Sequence, residues 1–337
     1  MNVVEASKLD DLAAALVAAG YRVVAPVLED GVLRLAEWAP PAEIQTQGVA
    51  VNSIKDFLLP RSEVISRSKL EGDEFTIEDV APQAPKTCLL CVRPCDAAAI
   101  AVLDAVFGWD YEDAFYNARR EATTVVTLAC TAADEQCFCT SVGGAPDAAA
   151  GADAILRPAD GGERFVFEPL TDKGRAVAEA AAGVLTEGEA SIDPPADVPV
   201  LFDPAVVAAW CQDNFEAELW NAVSLPCLGC GACAYACPTC HCFDIQDEAT
   251  RGESVRIRNW DSCGFGLFTL HASGHNPRPD QTARWRQRVM HKLSYFPQRF
   301  TQVACTGCGR CARLCPAGMA IAEVCREIDQ ACKAAAE

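Results

Sequence analysis

The chain has 337 residues, half of them apolar, and a formal net charge of −19 at pH 7. This composition excludes an intrinsically disordered protein, and the acidic balance argues against general nucleic-acid binding, which requires a basic surface. No apolar run approaches the length of a membrane span, and the N-terminus lacks the basic and apolar segments of a signal peptide. We therefore expect a cytoplasmic protein that binds neither nucleic acid nor membrane.

The first half of the chain reads as alternating helices and strands. Ser7 is a suitable N-cap for a first helix that stops at Gly20, and Asp96 is a suitable N-cap for a second. Hydrophobic periodicity predicts helices over residues 8–19, 96–107 and 171–185, and strands over 21–27, 31–38, 86–92, 123–130, 153–158 and 164–169. These elements predict a mixed α/β domain over residues 1–185.

The second half begins after a segment rich in Pro, Asp, Glu and small residues, which predicts an exposed linker over residues 186–202. A helix over 203–224 then leads into a cysteine-rich region, and an Ala-rich helix over 317–337 closes the chain. Cys325 and Cys332 lie seven residues apart on that helix, and we interpret them as buried apolar side chains.

Twenty cysteines in a chain without a secretory signal need a reason. Reducing compartments disfavour disulfides, so dense cysteine there points to metal binding, with zinc as one possibility. The cysteines fall mainly into groups at residues 88–95, 130–139, 227–242 and 305–315.

Two of these groups are near copies, "CLGCGACAYACP" from Cys227 and "CTGCGRCARLCP" from Cys305. Each fits the run Cys-x2-Cys-x2-Cys-x3-Cys-Pro of bacterial ferredoxins, in which three cysteines hold one 4Fe-4S cluster and the fourth holds the other. The pattern assigns cluster one to Cys227, Cys230, Cys233 and Cys315, and cluster two to Cys305, Cys308, Cys311 and Cys237. The fold class expected is α+β, with the mixed α/β domain followed by a ferredoxin-like domain (203–337) that carries a long insertion between its two motifs.

A further set of cysteines lies in the first half. Cys95 opens a predicted helix, Cys130 ends a predicted strand, and Cys137 and Cys139 follow in a loop. These four thiols could hold a third 4Fe-4S cluster, since a helix N-terminus favours negative charge. The alternative at this point is a set of scattered buried cysteines.

Several other segments resemble a known family. They are "FLLPRSEVI", "VRPCDAAAIAVLDAVF", "CFCTSVGGAP", "CPTCHCFDI", "WDSC", "HNPRP" and "RWRQRVMHK". Together they resemble the iron-sulfur beta subunit of NAD(P)-linked nickel–iron (NiFe) hydrogenases. That family includes sulfhydrogenase beta subunits and an iron-sulfur subunit of anaerobic sulfite reductase.

The resemblance implies an electron-transfer subunit that has no catalytic residues of its own. It would relay electrons from or to an iron-sulfur subunit that binds flavin and NAD(P). On the other side it would contact the small and large subunits of a cytoplasmic NiFe hydrogenase, or the subunits of a sulfite or sulfur reductase. The resemblance also favours the third cluster on Cys95, Cys130, Cys137 and Cys139.

One segment departs from the family pattern. Family members have an apolar strand before "RPCD", whereas this chain has Cys88 and Cys91 there. Cys88 and Cys91 could supply cluster ligands with Cys95 in a different combination, but on a straight strand they point to opposite faces, and we interpret both as buried thiols.

Two features of the sequence can be interpreted in more than one way. Cys240, Cys242 and Cys263 could form a further metal site with His241, His271 or His275, or could pack around the ferredoxin clusters, with Trp260 and Phe243 helping to exclude water. Residues 251–300 contain nine Lys/Arg against three Asp/Glu, which fits a solvated face, a docking surface, or charge that offsets anionic clusters.

The remaining alternatives concern function. The chain has no Gly-x-Gly-x-x-Gly, Walker or nucleophile-elbow motif, so we expect any NAD(P) or flavin site to lie on a partner. A self-contained iron-sulfur disulfide-type reductase and a zinc-stabilised assembly module are the alternative classes.

Overall fold

The strands of the computed structural model, which describes residues 1–336, form two sheets. They are Asn2–Glu5 (β1), Arg22–Glu29 (β2), Val32–Glu37 (β3), Ser62–Glu71 (β4), Glu74–Asp79 (β5), Thr87–Val92 (β6), Thr123–Leu128 (β7), Ala154–Ala159 (β8), Arg164–Pro169 (β9), Thr186–Glu187 (β10), Phe243–Thr250 (β11) and Glu253–Trp260 (β12).

The α-helices are Leu9–Ala18 (α1), Lys55–Leu58 (α2), Pro94–Phe107 (α3), Ala114–Ala122 (α4), Asp172–Ala180 (α5), Pro204–Asp213 (α6), Leu219–Ser224 (α7), Ala232–Tyr235 (α8), Gln281–Met290 (α9), Phe296–Phe300 (α10), Arg310–Arg313 (α11) and Ile321–Ala336 (α12). A π-helical turn, His291–Tyr295, joins α9 to α10, and short 3-10 turns occur at Ala6–Lys8, Cys139–Val142 and Asp160–Gly162. The predicted end of the last helix, residue 337, lies outside the described residues.

The larger sheet has the strand order β10-β1-β9-β8-β7-β6-β2-β3. Its central strands β2, β6, β7 and β8 are parallel neighbours, and the other pairs are antiparallel. Helices α1 and α5 pack on one face and α3 on the other, so β6 and β7 are buried along their whole length. Burial on both faces explains why neither strand contains a charged residue. The arrangement confirms the expected mixed α/β architecture of this region.

The smaller sheet joins distant parts of the chain in the order β11-β12-β4-β5. The hairpin β11–β12 belongs to the segment between the two ferredoxin motifs, and β12 pairs antiparallel with β4. Strands β4, β5 and β11 are largely exposed, so they lack the apolar alternation that would have predicted them. The division at residues 185 and 203 stays a prediction, and the two parts on either side of it share this sheet.

The C-terminal helices α6, α7, α9 and α12 form a separate apolar core around Trp220, Trp285, Leu293 and Cys325. Cys325 is fully buried as predicted, and Cys332 packs at the edge of the same core.

The single helix predicted over 203–224 is wrong, because the chain breaks at Asn214. The Asn214 side chain donates to the Trp210 carbonyl, and the Asn214 carbonyl accepts from the Trp220 indole.

Three smaller expectations are also corrected. Ser7 lies in a 3-10 turn and does not cap α1. Helix α3 begins at Pro94 with Arg93 as N-cap, which leaves Asp96 inside its first turn. The first two residues of the predicted linker form β10, which pairs with β1 at the sheet edge.

No helix in the described part of the chain is both long and apolar enough to cross a membrane.

Arg258 ties the two halves together, because its buried guanidinium on β12 pairs with Glu63 of β4 and with Asp113, the N-cap of α4. Arg258→Met leaves Asp113 without an ion-pair partner among the described residues and Glu63 paired with Arg119 alone, so it should lower stability by about 3 kcal/mol. Thermal unfolding of anaerobically purified protein checks this. Arg256→Met, which removes an exposed pair on the same strand, is the matched control and should change the midpoint little. Equal midpoints for the two variants would contradict the role assigned to Arg258.

Candidate functional site

The two ferredoxin-type motifs have the same local conformation. In each, two glycines have positive φ, Gly229 and Gly231 in the first copy and Gly307 and Gly309 in the second, and a four-residue helix follows. Glycine adopts this left-handed backbone without a steric penalty. The space is also limited at Gly231, where an added Cβ would lie 2.6 Å from the Phe265 ring. The short helices α8 and α11 pack against each other and bring the two motifs together.

The first predicted ligand set converges on one cavity. Its lining includes the four cysteines predicted to hold cluster one, which are Cys227, Cys230, Cys233 and Cys315. Cys311 and Cys263 also line this cavity. Cys230 is exposed, whereas the other three are partly buried, so one edge of the site reaches the surface.

The second predicted set also converges. Cys237 and Cys311 each help to raise the pKa of both Cys305 and Cys308, so these four thiols lie close together. Burial is the main cause that raises the pKa of Cys305 to about 12. Cys237 thus lies with the second motif although it belongs to the first, as the ferredoxin pattern requires.

The N-terminal set is brought together by the large sheet. Cys95 follows β6 and Cys130 follows β7, and these parallel neighbours end at the same edge, where open α/β sheets bind ligands. Cys137 and Cys139 lie in the loop after β7. All four thiols line a cavity of about 240 Å³, together with Cys308 and Arg93. Burial is the main cause that raises the pKa of each, to about 11 for Cys139.

The backbone of this loop touches the second ferredoxin motif directly. The Phe138 N–H donates to the Gly307 carbonyl at 2.9 Å. A Cβ on Gly307 would lie 2.4 Å from the Cys139 nitrogen, and one on Gly309 would lie 2.4 Å from the Gln136 carbonyl oxygen. The N-terminal cysteines and those of the second motif therefore belong to adjacent sites with no side-chain layer between them.

Buried cations lie among these cysteines. Arg288 and Lys292 are 5 % and 2 % exposed, and neither has a carboxylate partner among the described residues. The Arg288 guanidinium donates to Cys240 Sγ at 3.6 Å and Lys292 Nζ to Cys237 Sγ at 3.4 Å. A buried cation needs a compensating negative charge. Thiolates bound to iron supply that charge, so the surroundings fit anionic clusters.

A third buried cation bridges two of the sites. Arg310 of α11 pairs with Asp96 of α3 at 2.8 Å, and each side chain is 1 % exposed. Cys95 and Cys308 lie close enough to Arg310 to help raise the pKa of its guanidinium. Its Nη1 has no acceptor and the Asp96 Oδ1 has no donor among the described residues. An orphaned buried N–H beside cysteine ligands fits the sulfide or thiolate acceptors of a 4Fe-4S cluster.

Charge that offsets anionic clusters is one interpretation of residues 251–300, but the sequence does not single out Arg288, Lys292 or Arg310. The composition of residues 251–300 reveals the local positive charge, but spacing alone does not show that Arg288 and Lys292 point inward. Arg93 and Asp96 lie within "VRPCDAAAIAVLDAVF", one of the segments that resemble the family, and that resemblance could have drawn attention to both residues. Trp260 packs in the core with residues of α3, its indole donates to the Leu59 carbonyl, and its ring contacts Tyr235 of α8 in the first ferredoxin motif.

Cys88 and Cys91 are both fully buried, as predicted, and neither lines the N-terminal cavity. A straight strand would place them on opposite faces. Cys91 has a φ of +58°, and the pairing of β6 with β7 shifts register at this point. The irregularity places both thiols in the core beneath α1.

Comparison with known proteins agrees with this geometry. Residues 226–319 match the family model of a 4Fe-4S dicluster domain, so the chain is an iron-sulfur protein of that class. It is also 31% identical over 292 residues to sulfhydrogenase 2 subunit beta of Pyrococcus furiosus, a match that covers 81% of each chain. The chain therefore belongs to the sulfhydrogenase beta-subunit family. No solved structure matches it significantly.

The contact between the N-terminal loop and the second motif can be tested at Gly307. Gly307→Ala should destabilise the protein and speed hydrogen exchange in residues 136–139, because the new Cβ overlaps backbone that has little freedom to move. Gly318→Ala is the matched control, since Gly318 has the same positive φ with nothing within 4 Å of the added Cβ. The control should show only the roughly 1–2 kcal/mol cost of a left-handed alanine. Indistinguishable exchange in the two variants would argue against a tight contact.

Proposed function

We propose that this chain is the electron-transfer subunit of a multisubunit hydrogenase. The observation that carries the proposal is the convergence of the predicted cysteine ligands into neighbouring buried sites that carry compensating positive charge. When bound, 4Fe-4S clusters accept and donate single electrons at potentials set by their surroundings.

The proposed ligands are the twelve cysteines of the sequence prediction. Cys227, Cys230, Cys233 and Cys315 form the first set, Cys305, Cys308, Cys311 and Cys237 the second, and Cys95, Cys130, Cys137 and Cys139 the third. The protein contributes thiolates, those of the two ferredoxin motifs being held by glycine-rich loops, and it buries Cys237 and Cys308 of the second set away from water. The buried cations Arg288, Lys292 and Arg310 stabilise the anionic state and favour reduction.

The contacts support a linear order of sites. The third set adjoins the second through the contact of Gly307 with Cys139, and the second adjoins the first through α8 and α11. Cys230 opens the first site to the surface, and Leu225 and Leu228 nearby in sequence are 85 % and 71 % exposed. An exposed apolar patch next to a redox centre suits the docking of a partner subunit.

The proposed partners follow from the family. One is a flavin- and NAD(P)-binding iron-sulfur subunit, because this chain shows no nucleotide-binding motif of its own. The others are the small and large subunits of a cytoplasmic NiFe hydrogenase, which react with hydrogen. The relative is named a subunit of a sulfhydrogenase, which supports a place within a larger complex.

Cys137→Ala tests the third set. Because one ligand is lost from a site that shares no cysteine with the ferredoxin pair, iron and acid-labile sulfide should each fall by about four per chain relative to wild type. The reduced-state paramagnetic signals of the ferredoxin pair should persist. Cys332→Ala, at the edge of the C-terminal core, is the control and should leave iron unchanged. Unchanged iron in Cys137→Ala would overturn the third cluster.

Cys308→Ala tests the relay itself. In the complete complex this variant should lose reduction of NAD(P) by hydrogen, because the middle site is broken. Hydrogen oxidation with an artificial dye that accepts electrons at the catalytic subunits should remain. Full NAD(P) reduction in a variant with confirmed iron loss would show that electrons bypass this subunit.

A further inference from the structure

The segment between the two ferredoxin motifs brings together three cysteines that the relay does not use. Cys240 and Cys242 immediately precede β11, and Cys263 closely follows β12. The hairpin pairs Phe243 with Trp260, and the Asp261 N–H donates to the Cys242 carbonyl at 3.0 Å. The antiparallel register therefore brings the two ends of the segment together, with Cys242 and Cys263 on the wall of the same cavity.

All three thiols line one cavity of about 330 Å³, larger than the 240 Å³ cavity of the N-terminal cysteines. Two imidazoles, His241 and His291, also line it, and the described residues of its wall include no carboxylate. Thiolate and imidazole donors select iron-sulfur clusters, zinc or copper, whereas magnesium and calcium prefer oxygen.

The charge around the cavity differs from that around ordinary buried cysteines. Arg288, Lys292 and Arg278 line it, and Arg288 donates directly to Cys240 Sγ. Cys211, by contrast, is buried in the C-terminal core, and its pKa is raised to about 12 by burial alone. Positive side chains are thus gathered around these thiols, as around the proposed cluster ligands, whereas burial alone raises the pKa of Cys211.

The arrangement suits a cluster better than a single ion. Within residues 1–336, no three His, Cys, Asp or Glu side chains converge closely enough to hold one metal ion. The thiols instead border an open volume. We propose that Cys240, Cys242 and Cys263 would hold a further 4Fe-4S cluster in this cavity, with His241 or His291 of the same wall as the candidate fourth ligand.

Such a site would extend the relay. Cys263 lines both this cavity and the cavity of the first ferredoxin set, so the two sites share a wall. The inference goes beyond the proposed function, because the relay through the other sets does not require it.

The experiment measures metal on the full chain, purified without oxygen. Cys263→Ser should lose about four iron and four sulfide per chain relative to wild type, while the signals of the ferredoxin pair persist. Cys332→Ser is the control and should lose none. Cys137→Ala, measured alongside, reports the N-terminal site separately, so failure of one assignment is distinguishable from failure of the other.

The main rival is a redox-active pair of Cys242 and Cys263. In that case Cys263→Ser would keep its full iron, and the number of alkylatable thiols would differ by two between reduced and oxidised wild type. That result would overturn the proposal. Should the variant fail to fold, native mass spectrometry of wild type decides. A mass with about four clusters supports the site, and about three, with one lost in Cys137→Ala, overturns it.

Discussion

Buried positive charge among thiols is the constraint on which the site depends. Arg288, Lys292 and Arg310 are each nearly inaccessible to solvent, and only Arg310 has a carboxylate partner among the described residues. Leaving such charges uncompensated would destabilise the fold by several kcal/mol each. In the proposed ligand sets, iron binding would keep the surrounding cysteines negatively charged. The proposal therefore implies that folding and cofactor loading are coupled through these side chains.

The same charges account for the position of the N-terminal site. The pair of Arg310 and Asp96 links α11, in the second ferredoxin motif, with the first turn of α3, where Cys95 lies. The two glycines before α11 let its loop press against the backbone of residues 136–139. The Arg310–Asp96 pair and the close backbone packing thus hold the N-terminal cysteines against the second ferredoxin motif, and the redox sites proposed there would be neighbours.

Much of this could be predicted from sequence, and the physical reason differs by feature. Strands β6 and β7 are buried on both faces, and their uncharged sequences therefore predict buried strands. Their parallel pairing brings Cys95 and Cys130 to one edge of the sheet. The ferredoxin motifs have a spacing that few other structures require. Strands β4, β5 and β11 escaped prediction because exposed strands have no apolar period. The inward orientation of Arg288 and Lys292 depends on tertiary packing, which local pattern does not report.

The shared sheet has a consequence for the order in which the chain is made. Strand β12 lies between β11 and β4, so the hairpin β4–β5 gains its neighbour only after residue 260 has been synthesised. Until then its edge stays open on the nascent chain, and open strand edges invite wrong pairing. Glu63 likewise cannot pair with Arg258 until that residue, 195 positions downstream, has been synthesised. A ribosome-bound fragment that ends before the hairpin β11–β12 therefore leaves one edge of β4 unpaired.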